Sequence, residues 1–286
     1  MTQPLRIGTR GSPLALAQAH MVAAALHASS GVETVIVPIV TSGDVIQDRA
    51  LAEVGGKALW TKELDRALVE GRTDLSVHSM KDVETVRPEA LLIAAMLERA
   101  DTRDRLIGAD DLDSLSYGAC VGTSSPRRTA QLLARRPDLR CVIIRGNVQT
   151  RLAKIEAGEF DATLLAAAGL DRLGLALGTP LDLLPAPAQG AIGVEVLADR
   201  DDLREVLAAI DHRPTHAAVN AERAFLAALG GDCHSAVAAL ATDGIMTAEI
   251  LSADGREVRR GTGAPADLAA CLLEEASPAL RAMFAP

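Results

Sequence analysis

The chain has 286 residues, of which 49% are hydrophobic and 23% charged, a composition typical of a globular protein with about two domains. The formal net charge of -9 and the aromatic content of 2% argue against general binding of nucleic acids or anionic membranes. The N-terminus lacks the basic and apolar segments of a secretion signal, so we expect a cytoplasmic protein without membrane association.

The first part of the chain alternates strands and helices. A strand at Leu5 to Gly8 leads through a basic turn into a helix that begins at Pro13 and runs to about Ala28. Thr41 to Lys57 has no clear period and is predicted to be a mobile loop. The other elements predicted here are strands at Val35 to Val40, Leu75 to Ser79 and Leu91 to Met96, and a helix from Trp60 to Glu70.

Two neighbouring strands of the middle part end in basic turns. The first, Ala119 to Gly122, is followed by Ser125 as a helix N-cap and Pro126 as the first helical residue. Unpaired N–H groups at helix starts bind anions, and arginine forks match carboxylate and phosphate. Because the carboxyl ends of parallel strands line one crevice, we expect a single anionic ligand there, although arginines at helix starts are often only solvated surface groups. The basic residues concerned are Arg127 and Arg128 after the first strand and Arg145 and Arg151 after the second, Cys141 to Ile144.

Composition shifts near Glu98 to Asp104 and near Pro185 predict that the chain enters a second lobe and then returns to the first. Such a double crossing is typical of two lobes joined by a hinge. The remaining predicted elements are strands at Arg105 to Ile107, Phe160 to Ala167, Ile192 to Val196, Val237 to Ala241, Met246 to Leu251 and Glu257 to Gly261, helices at Leu203 to Ala209, Pro214 to Leu229 and Asp267 to Met283, a helix containing Arg172, and a turn-rich run from Gly178 to Gly190.

Three further side chains, besides these arginines, are candidates for catalysis or covalent attachment. Lys81 and Asp82 follow a strand end, which makes them either crevice residues or an ordinary exposed turn. Cys233 lies alone in a glycine-bearing loop, where it is either an incidental thiol or a nucleophile or attachment point. The four cysteines and six histidines have no metal-ligand spacing, so no metal site is expected.

These segments together resemble the porphobilinogen deaminase family, and the resemblance spans nearly the whole chain. A single motif of this kind is weak evidence, whereas the same motifs in order are very specific. The matching motifs are Arg6-Ile7-Gly8-Thr9-Arg10, Gly55-Gly56-Lys57, His78-Ser79-Met80-Lys81-Asp82, Gly122 to Arg128, Arg145-Gly146-Asn147, Gln189-Gly190-Ala191 and the Cys233 loop.

The resemblance implies a fold of mixed α/β and α+β class. It consists of two α/β lobes like those of periplasmic binding proteins, joined by a hinge, and a small C-terminal domain in which helices cover a three-stranded antiparallel sheet. The boundaries that fit the sequence are 1–97 with 191–212 for the first domain, 98–190 for the second and 213–286 for the third.

The resemblance also implies an enzyme, a transferase of heme and tetrapyrrole biosynthesis. It would condense four porphobilinogen molecules head to tail with loss of ammonia, give hydroxymethylbilane, and pass this product to uroporphyrinogen-III synthase. A monomer is the family expectation. Asp82 would be the catalytic carboxylate, stabilising the cationic methylene-pyrrolenine and moving protons.

A covalent dipyrromethane cofactor, one per chain, is implied as well, attached to Cys233 by a thioether. The residues implied to bind the cofactor are Lys81, Thr123, Ser124, Ser125, Arg127, Arg128, Arg145 and Gly146. Those implied to bind the carboxylates of the substrate are Arg10, Ser12, Lys57, Arg145, Arg151, Arg172 and Gln189.

Three positions depart from the common family pattern. Glu53 stands where some members have lysine, and Trp60 stands where phenylalanine is usual and is expected to cover the ligand. Asp232 precedes the cysteine where glycine is frequent, and its charge is expected to raise the pKa of the Cys233 thiol.

Two other functions fit part of the sequence. A non-catalytic two-lobed binder of small organic anions explains the arginines but gives Asp82 and Cys233 no task. Nucleic-acid binding also suits the arginines, yet it conflicts with the net charge and the aromatic content.

Overall fold

The computed structural model describes residues 3–42, 60–231 and 235–284. They belong to two compact units, Met1–Ala100 with Gly190–Ala217 and Asp101–Gln189 with Ala218–Pro286. Most of the loop expected at Thr41 to Lys57 lies outside the described residues, as do the positions of Lys57 and Cys233. None of the helices in the described segments is long and apolar enough to cross a bilayer.

The strands and helices follow the alternating pattern read from the sequence. In chain order, the strands of the described residues are β1 (Leu5–Arg10), β2 (Thr34–Ile39), β3 (Leu75–Ser79), β4 (Leu91–Met96), β5 (Asp104–Ile107), β6 (Cys120–Gly122), β7 (Arg140–Val142), β8 (Ala162–Ala166), β9 (Thr179–Leu181), β10 (Ile192–Leu197), β11 (Val237–Thr242), β12 (Ile245–Leu251) and β13 (Val258–Gly263). The α-helices are α1 (Pro13–Ser30), α2 (Lys62–Val69), α3 (Pro126–Arg135), α4 (Val148–Glu156), α5 (Ala167–Arg172), α6 (Asp201–Ala208), α7 (Arg213–Ala228), α8 (Pro265–Glu275) and α9 (Pro278–Arg281).

The first unit is built on a five-stranded sheet in the order β2-β1-β3-β10-β4. β1 runs parallel to β2 and β3, whereas β10 runs antiparallel to β3 and β4. Apolar side chains of α1, including Val22 and Leu26, share a buried core with Ile7, Val77 and Val194 of the sheet. Burying each of these side chains contributes roughly 1.5–3 kcal/mol, which fixes α1 against one face of the sheet.

The second unit contains another five-stranded sheet, in the order β7-β6-β8-β5-β9. β6 pairs in parallel with β7 and β8, and β5 pairs antiparallel with β8 and β9. Its core joins Val121, Leu164 and Leu106 from three strands with Leu132 of α3. The parallel strands β7, β6 and β8 therefore end at one edge of the sheet, and a helix follows each of them.

The three-stranded antiparallel sheet β11-β12-β13 lies in the same unit. Phe225 of α7 and Leu268 of α8 pack with Ile250 of this sheet in one buried core. Glu222 of α7 also accepts a hydrogen bond from the backbone N–H of Ala241, at 2.8 Å. The expected fold class, two α/β sheets and a C-terminal antiparallel sheet covered by helices, is confirmed.

Three predicted elements differ from the structure. β7 ends at Val142 rather than at Ile144, because the chain after β6 turns away and the Ser124 hydroxyl donates to the Ile144 carbonyl. The turn-rich run contains β9, an edge strand that tolerates Pro180 because an edge residue needs no ladder N–H. The single C-terminal helix is two helices, since Pro278 removes a donor and Ser277 caps the second helix.

Candidate active site and anion-binding edges

In the first unit, the predicted site residues follow the carboxyl ends of two neighbouring parallel strands. β1 ends at Arg10, and β3 leads into a short 3-10 turn, Met80–Asp82, which carries Lys81 and Asp82. The buried side chain of Gln18 on α1 donates to the Ser79 hydroxyl at 2.9 Å and fastens the helix to the end of β3. Arg10, Lys81 and Asp82 thus belong to one edge of this sheet.

Arg10 is oriented by an aromatic ring. Its guanidinium carbon lies 3.9 Å from the centroid of the Trp60 ring, a geometry that contributes about 0.5–2 kcal/mol depending on solvent access. Ser12 accepts a hydrogen bond from Ala15 N at 3.3 Å, which makes it the N-cap of α1. The tryptophan expected to cover a ligand therefore contacts a predicted carboxylate-binding arginine.

Backbone hydrogen bonds anchor the turn that carries Asp82. The N–H of the buried residue Met80 donates to the carbonyl of Ala191 at 3.1 Å, and the N–H of Val83 donates to the Met80 carbonyl at 3.2 Å. Lys81 and Asp82 remain half-exposed. A fixed backbone thus carries an ammonium and a carboxylate on consecutive residues.

His78, before this turn in the sequence, and Arg87, after it, belong to one cluster of buried charged side chains. Arg87 donates through Nε and Nη2 to the two carboxylate oxygens of Glu195, at 2.8 and 2.9 Å, and through Nη2 to Asp65 at 2.6 Å. Nε2 of His78 lies 3.1 Å from Oε2 of Glu195. Burial acts to raise the pKa of Glu195, but His78 and Arg87 outweigh it and lower that pKa to about 2. Glu195 is therefore ionised at neutral pH.

In the second unit, three parallel strands bring predicted site residues to one edge. β6 is followed by the Thr123–Ser125 turn and α3, β7 is followed by Arg145 and α4, and β8 is followed directly by α5. Arg145, Arg151 and Arg172 are half-buried at these strand ends and helix termini. Basic side chains thus concentrate at the carboxyl edge of the sheet despite the negative net charge.

The turns at this edge use small side chains to shape the backbone. Thr123 is buried, its N–H donates to Val142 O at 2.8 Å, and its hydroxyl accepts from Ser125 N at 3.1 Å. Ser125 in turn caps α3 by accepting from Arg128 N at 3.4 Å. A cap satisfies only part of the first-turn N–H groups, so the others remain suited to an anion.

Gly146 closes the second turn in a conformation that other residues avoid. Its φ is 107°, and an added Cβ would lie 2.6 Å from Cγ2 of Thr150. Its carbonyl accepts a hydrogen bond from Arg151 Nε at 3.0 Å, which orients that guanidinium. Asn147 caps α4 by accepting from Thr150 N at 2.9 Å.

Arg127 and Arg128 converge on a carboxylate that the sequence analysis did not single out. Nη2 of Arg127 and Nη2 of Arg128 lie 2.8 and 2.7 Å from the two oxygens of Asp104, which has no exposed surface. Nη1 of Arg127 also donates to Gln131 and to Leu184 O, both at 2.9 Å. Nη1 of Arg128 donates to Leu164 O at 2.9 Å, so contacts inside the protein hold both guanidinium groups.

The charges of this cluster favour an anionic cofactor. Burial acts to raise the pKa of Asp104, but the two guanidinium groups hold it far below its usual range. Two cations share one carboxylate, and within the described residues no acceptor lies within hydrogen-bond reach of Nε of Arg127 or Nε of Arg128. The surplus positive charge fits a group that bears carboxylates, such as a dipyrromethane with acetate and propionate side chains.

Gln189, expected to bind substrate, donates to the same cluster. Its Nε2 atom lies 2.7 Å from Thr102 O and 2.9 Å from Oδ1 of Asp104, and the residue is buried. The preceding Ala188 has a left-handed φ of 62° and donates its N–H to Glu222 at 2.6 Å. In this structure Gln189 supports the carboxylate that holds both arginines.

Arg172 provides a further cation at the end of α5. Burial lowers its pKa to about 10, with Asp171 as an opposing influence. Asp171 is itself paired with Arg105 at 2.9 Å. A carboxylate from a ligand would therefore offset the desolvation of Arg172 and raise its pKa again.

The described cysteines are Cys120, Cys141 and Cys271, and all are free thiols. Burial raises the pKa of Cys141 to about 11, which leaves little thiolate at neutral pH. The described residues include no group of three or more His, Cys, Asp or Glu side chains that would hold a metal.

Sequence reasoning missed Asp104 and Glu195, although each leaves a signal. Glu195 lies inside an otherwise apolar buried strand, and Asp104 is the buried first residue of a strand that ends in two apolar residues. Because an ionised group is rarely buried without a partner, an acidic residue in such a strand indicates a cation elsewhere. The sequence does not indicate which cation.

Replacing Asp104 by asparagine is expected to destabilise the second unit by about 3–5 kcal/mol, because two buried guanidinium groups lose their shared counter-charge. Chemical denaturation of the variant and the wild type measures this difference. The sign of the pH effect follows from the lowered pKa of Asp104. Its contribution is complete above the unfolded-state pKa of about 4 and is lost on acidification, so the difference should narrow below pH 4.

Asp101→Asn is the matched control, since Asp101 pairs with the exposed Arg103 at 2.7 Å. It should cost far less, because solvent screens that pair. Equal losses in the two variants, or a difference that widens below pH 4, would contradict the assignment.

The fold and these edges define a two-unit α/β protein with arginines at the strand ends of one sheet and a carboxylate on a strand-end turn of the other. The family model "Porphobilinogen deaminase, dipyromethane cofactor binding domain" matches residues 5–205, and the model "Porphobilinogen deaminase, C-terminal domain" matches residues 216–274. The chain belongs to the porphobilinogen deaminase family.

Curated relatives match this chain over most of their own length. The porphobilinogen deaminase of Sphingopyxis alaskensis is 58% identical over 306 aligned positions, which cover 99% of this chain and 97% of the relative. The enzyme of the same name from Paracoccus denitrificans is 51% identical, with 89% of this chain and 86% of the relative covered. That of Nitratidesulfovibrio vulgaris is 48% identical, with coverages of 91% and 88%.

Proposed function

We propose that this chain is a hydroxymethylbilane synthase, which condenses four porphobilinogen molecules head to tail and releases one ammonia for each. The observation that carries the proposal is the family match across the chain, which includes the cofactor-binding domain. The chain is accordingly an enzyme of tetrapyrrole synthesis, and porphobilinogen is its substrate.

The chemistry of the substrate explains the arginines. Every porphobilinogen ring bears an acetate and a propionate, so each added unit brings two negative charges. In the second unit, Arg128, Arg145, Arg151 and Arg172 are proposed to bind these carboxylates, since a planar fork fixes the orientation of a ring as well as its charge. Arg10 of the first unit has the same proposed role, with its plane set by Trp60.

Asp82 is proposed to act on the reacting carbon atoms. Loss of ammonia from porphobilinogen breaks a C–N bond and leaves a cationic methylene-pyrrolenine, which a pyrrole α-carbon attacks. The carboxylate of Asp82 would stabilise the cation and then accept the proton that leaves the attacking carbon. Its half-exposed place on an anchored turn suits a group that must meet a ligand.

The dipyrromethane cofactor supplies, when bound, the free α-carbon that begins chain growth. We propose that Cys233 anchors it by a thioether and that Lys81, Thr123, Ser124, Ser125, Arg128, Arg145 and Gly146 hold its rings and carboxylates. Arg127 is proposed to act with Arg128 through the positive charge that their shared partner Asp104 leaves uncompensated, since the Nη atoms of both face protein atoms. The position of Cys233 lies outside the described residues.

Other parts of the proposal concern organisation and partners. The domain boundaries are proposed at 1–97 with 191–212, at 98–190 and at 213–286. We further propose a monomer in the cytoplasm that delivers its product to uroporphyrinogen-III synthase. Sedimentation of the purified protein tests the monomer, and stimulation of flux by the added synthase tests the transfer.

Protein purified from a heme-competent host should carry the added mass of one dipyrromethane and turn coloured with Ehrlich's aldehyde reagent. The same sample should consume porphobilinogen and release ammonia in equal amounts, since each condensation breaks one C–N bond. Intact-mass spectrometry and the two product assays measure these quantities. An unmodified protein that binds porphobilinogen without consuming it would replace the enzyme by the non-catalytic anion binder.

A further inference from the structure

One face of β10 meets the segment that carries Asp82. Side chains alternate along a strand, so Gly193 and Glu195 share a face, and Ile192 and Val194 share the other, which packs into the core. β10 pairs antiparallel with β3, with Gly193 opposite His78. β10 is therefore the neighbour of the strand that leads directly into the Met80–Asp82 turn, and Gly193 and Glu195 are on one face of β10.

Met80 is seated directly over Gly193. A Cβ added at Gly193 would lie 2.1 Å from Sδ and 3.0 Å from Cγ of Met80, and Met80 is only 1% exposed. The backbone N–H of Met80 also donates to Ala191 O at 3.1 Å. The absence of a side chain at Gly193 is what permits the first residue of the turn to pack this closely.

Glu195 holds the chain on both sides of that turn. Its Oε2 lies 3.1 Å from Nε2 of His78, four residues before Asp82. Its two oxygens also take the bidentate fork of Arg87, five residues after Asp82, at 2.8 and 2.9 Å. The Glu195 side chain has no exposed surface, so a single buried carboxylate joins the two flanks of the Asp82 segment.

The remaining charged groups of the cluster reinforce the second flank. Arg87 also pairs with Asp65 of α2 at 2.6 Å, and with Glu84. The Thr61 hydroxyl donates to Glu84 at 2.8 Å. Loss of charge at Glu195 would therefore leave Arg87 attached to α2 but would release it from β10.

We propose that Glu195 is a positioning residue, which fixes the location of the Asp82 carboxylate by clamping His78 and Arg87 to β10. The inference deepens the proposed function, because it rests on Asp82 acting at the reacting carbon atoms. The physical basis is the steep dependence of catalysis on geometry, where a displacement of about 1 Å costs about 100-fold in rate. If the cluster only stabilised the first unit, weakening it would lower the stability of that unit without displacing the Asp82 turn.

Glu195→Gln is the test, since it keeps the shape of the side chain but sets an amide N–H₂ against donors of Arg87 or His78. We expect kcat to fall about 10- to 100-fold with KM changed less than about threefold. Intact mass should still show the dipyrromethane. Amide hydrogen exchange should accelerate at residues 79–87 and stay unchanged in α1.

Asp74→Asn is the matched control. Asp74 is a partly buried carboxylate of the same unit that pairs with Arg6 at 2.9 Å, just before β3 and thus at the end of the strand remote from Asp82. It should lower the unfolding temperature without changing kcat or the exchange of residues 79–87. A similar loss of kcat in both variants at equal fractions folded would reduce Glu195 to a stabilising group and overturn the proposal.

Gly193→Ala should displace the same turn by a steric mechanism, because the new Cβ would clash with Met80. The substitution leaves every ion pair of Glu195 in place. It should reproduce the kcat loss and the faster exchange. Normal kcat and normal exchange in folded Glu195→Gln protein would overturn the positioning role. A wild type that does not consume porphobilinogen would overturn the proposed function instead, while the exchange pattern would still decide whether Glu195 fixes the turn.

Discussion

Asp82→Ala is expected to give a protein that still carries its dipyrromethane but condenses porphobilinogen about 10²- to 10⁴-fold more slowly, the usual contribution of a positioned acid–base group. The two effects separate because the anchoring thiol and the condensing carboxylate are different residues. Asp82 is half-buried on a turn whose backbone is held at Met80, so truncation of its side chain leaves that anchor in place. Stability should therefore stay near that of the wild type.

Intact mass and porphobilinogen consumption, measured on the same sample, check this result. Asp82→Asn is the matched variant, since it keeps the volume and hydrogen-bonding capacity but not the negative charge or the proton-accepting oxygen. It should be impaired nearly as much as Asp82→Ala. If Asp82→Ala condenses porphobilinogen within about threefold of the wild-type rate, the reacting carbon atoms are served by another group.

Elements of both units were predictable where their sequence signals are local. Pro126 at a first helical position and Ser125 as its cap both stand where the sequence predicts them. The strand ending at Ser79 and the helix beginning at Pro13 follow from apolar runs bounded by turn residues. Local rules therefore locate the strand ends, and with them the edges where site residues collect.

The partners of buried charges were not predictable for a physical reason. Glu195 meets His78 from 117 positions away, and Asp104 meets Arg127 only when β5 and α3 pack in one unit. No propensity or spacing in the sequence encodes such a pairing, because it depends on which strand neighbours which in the sheet. The same holds for Gln189, whose amide binds Asp104 in the folded chain.

Charge matching also explains why two adjacent arginines of one motif are buried. Arg127 is 3% exposed, and its Nη atoms donate to Leu184 O and to Asp104. Arg128 is 8% exposed, and its Nη atoms donate to Leu164 O at 2.9 Å and to Asp104 at 2.7 Å. Neither of these contacts follows from the local sequence, because the acceptors come from strands and turns distant along the chain.

Cys233→Ser is expected to yield protein without any dipyrromethane and without condensation activity. A thiol ionises with an ordinary pKa of about 8.5, so a few per cent is thiolate at neutral pH, whereas a serine hydroxyl supplies almost no alkoxide. Thioether formation would add the sulfur to the methylene carbon of a cationic pyrrolenine, whose C–N bond has broken with loss of ammonia, and would release the thiol proton, a step that serine performs far too slowly. With no anchored primer, chain growth has no starting ring.

Intact-mass spectrometry and the Ehrlich reaction measure this loss, and Cys271→Ser is the matched control. Cys271 is an exposed free thiol of the same unit, so its replacement tests whether an accessible sulfur alone suffices for attachment. Cys271→Ser should keep both the added mass and the activity. A dipyrromethane that persists on the Cys233→Ser protein and disappears from the Cys271→Ser protein would show that the anchor is Cys271 of α8. The arginines would then bind a primer attached to that helix instead.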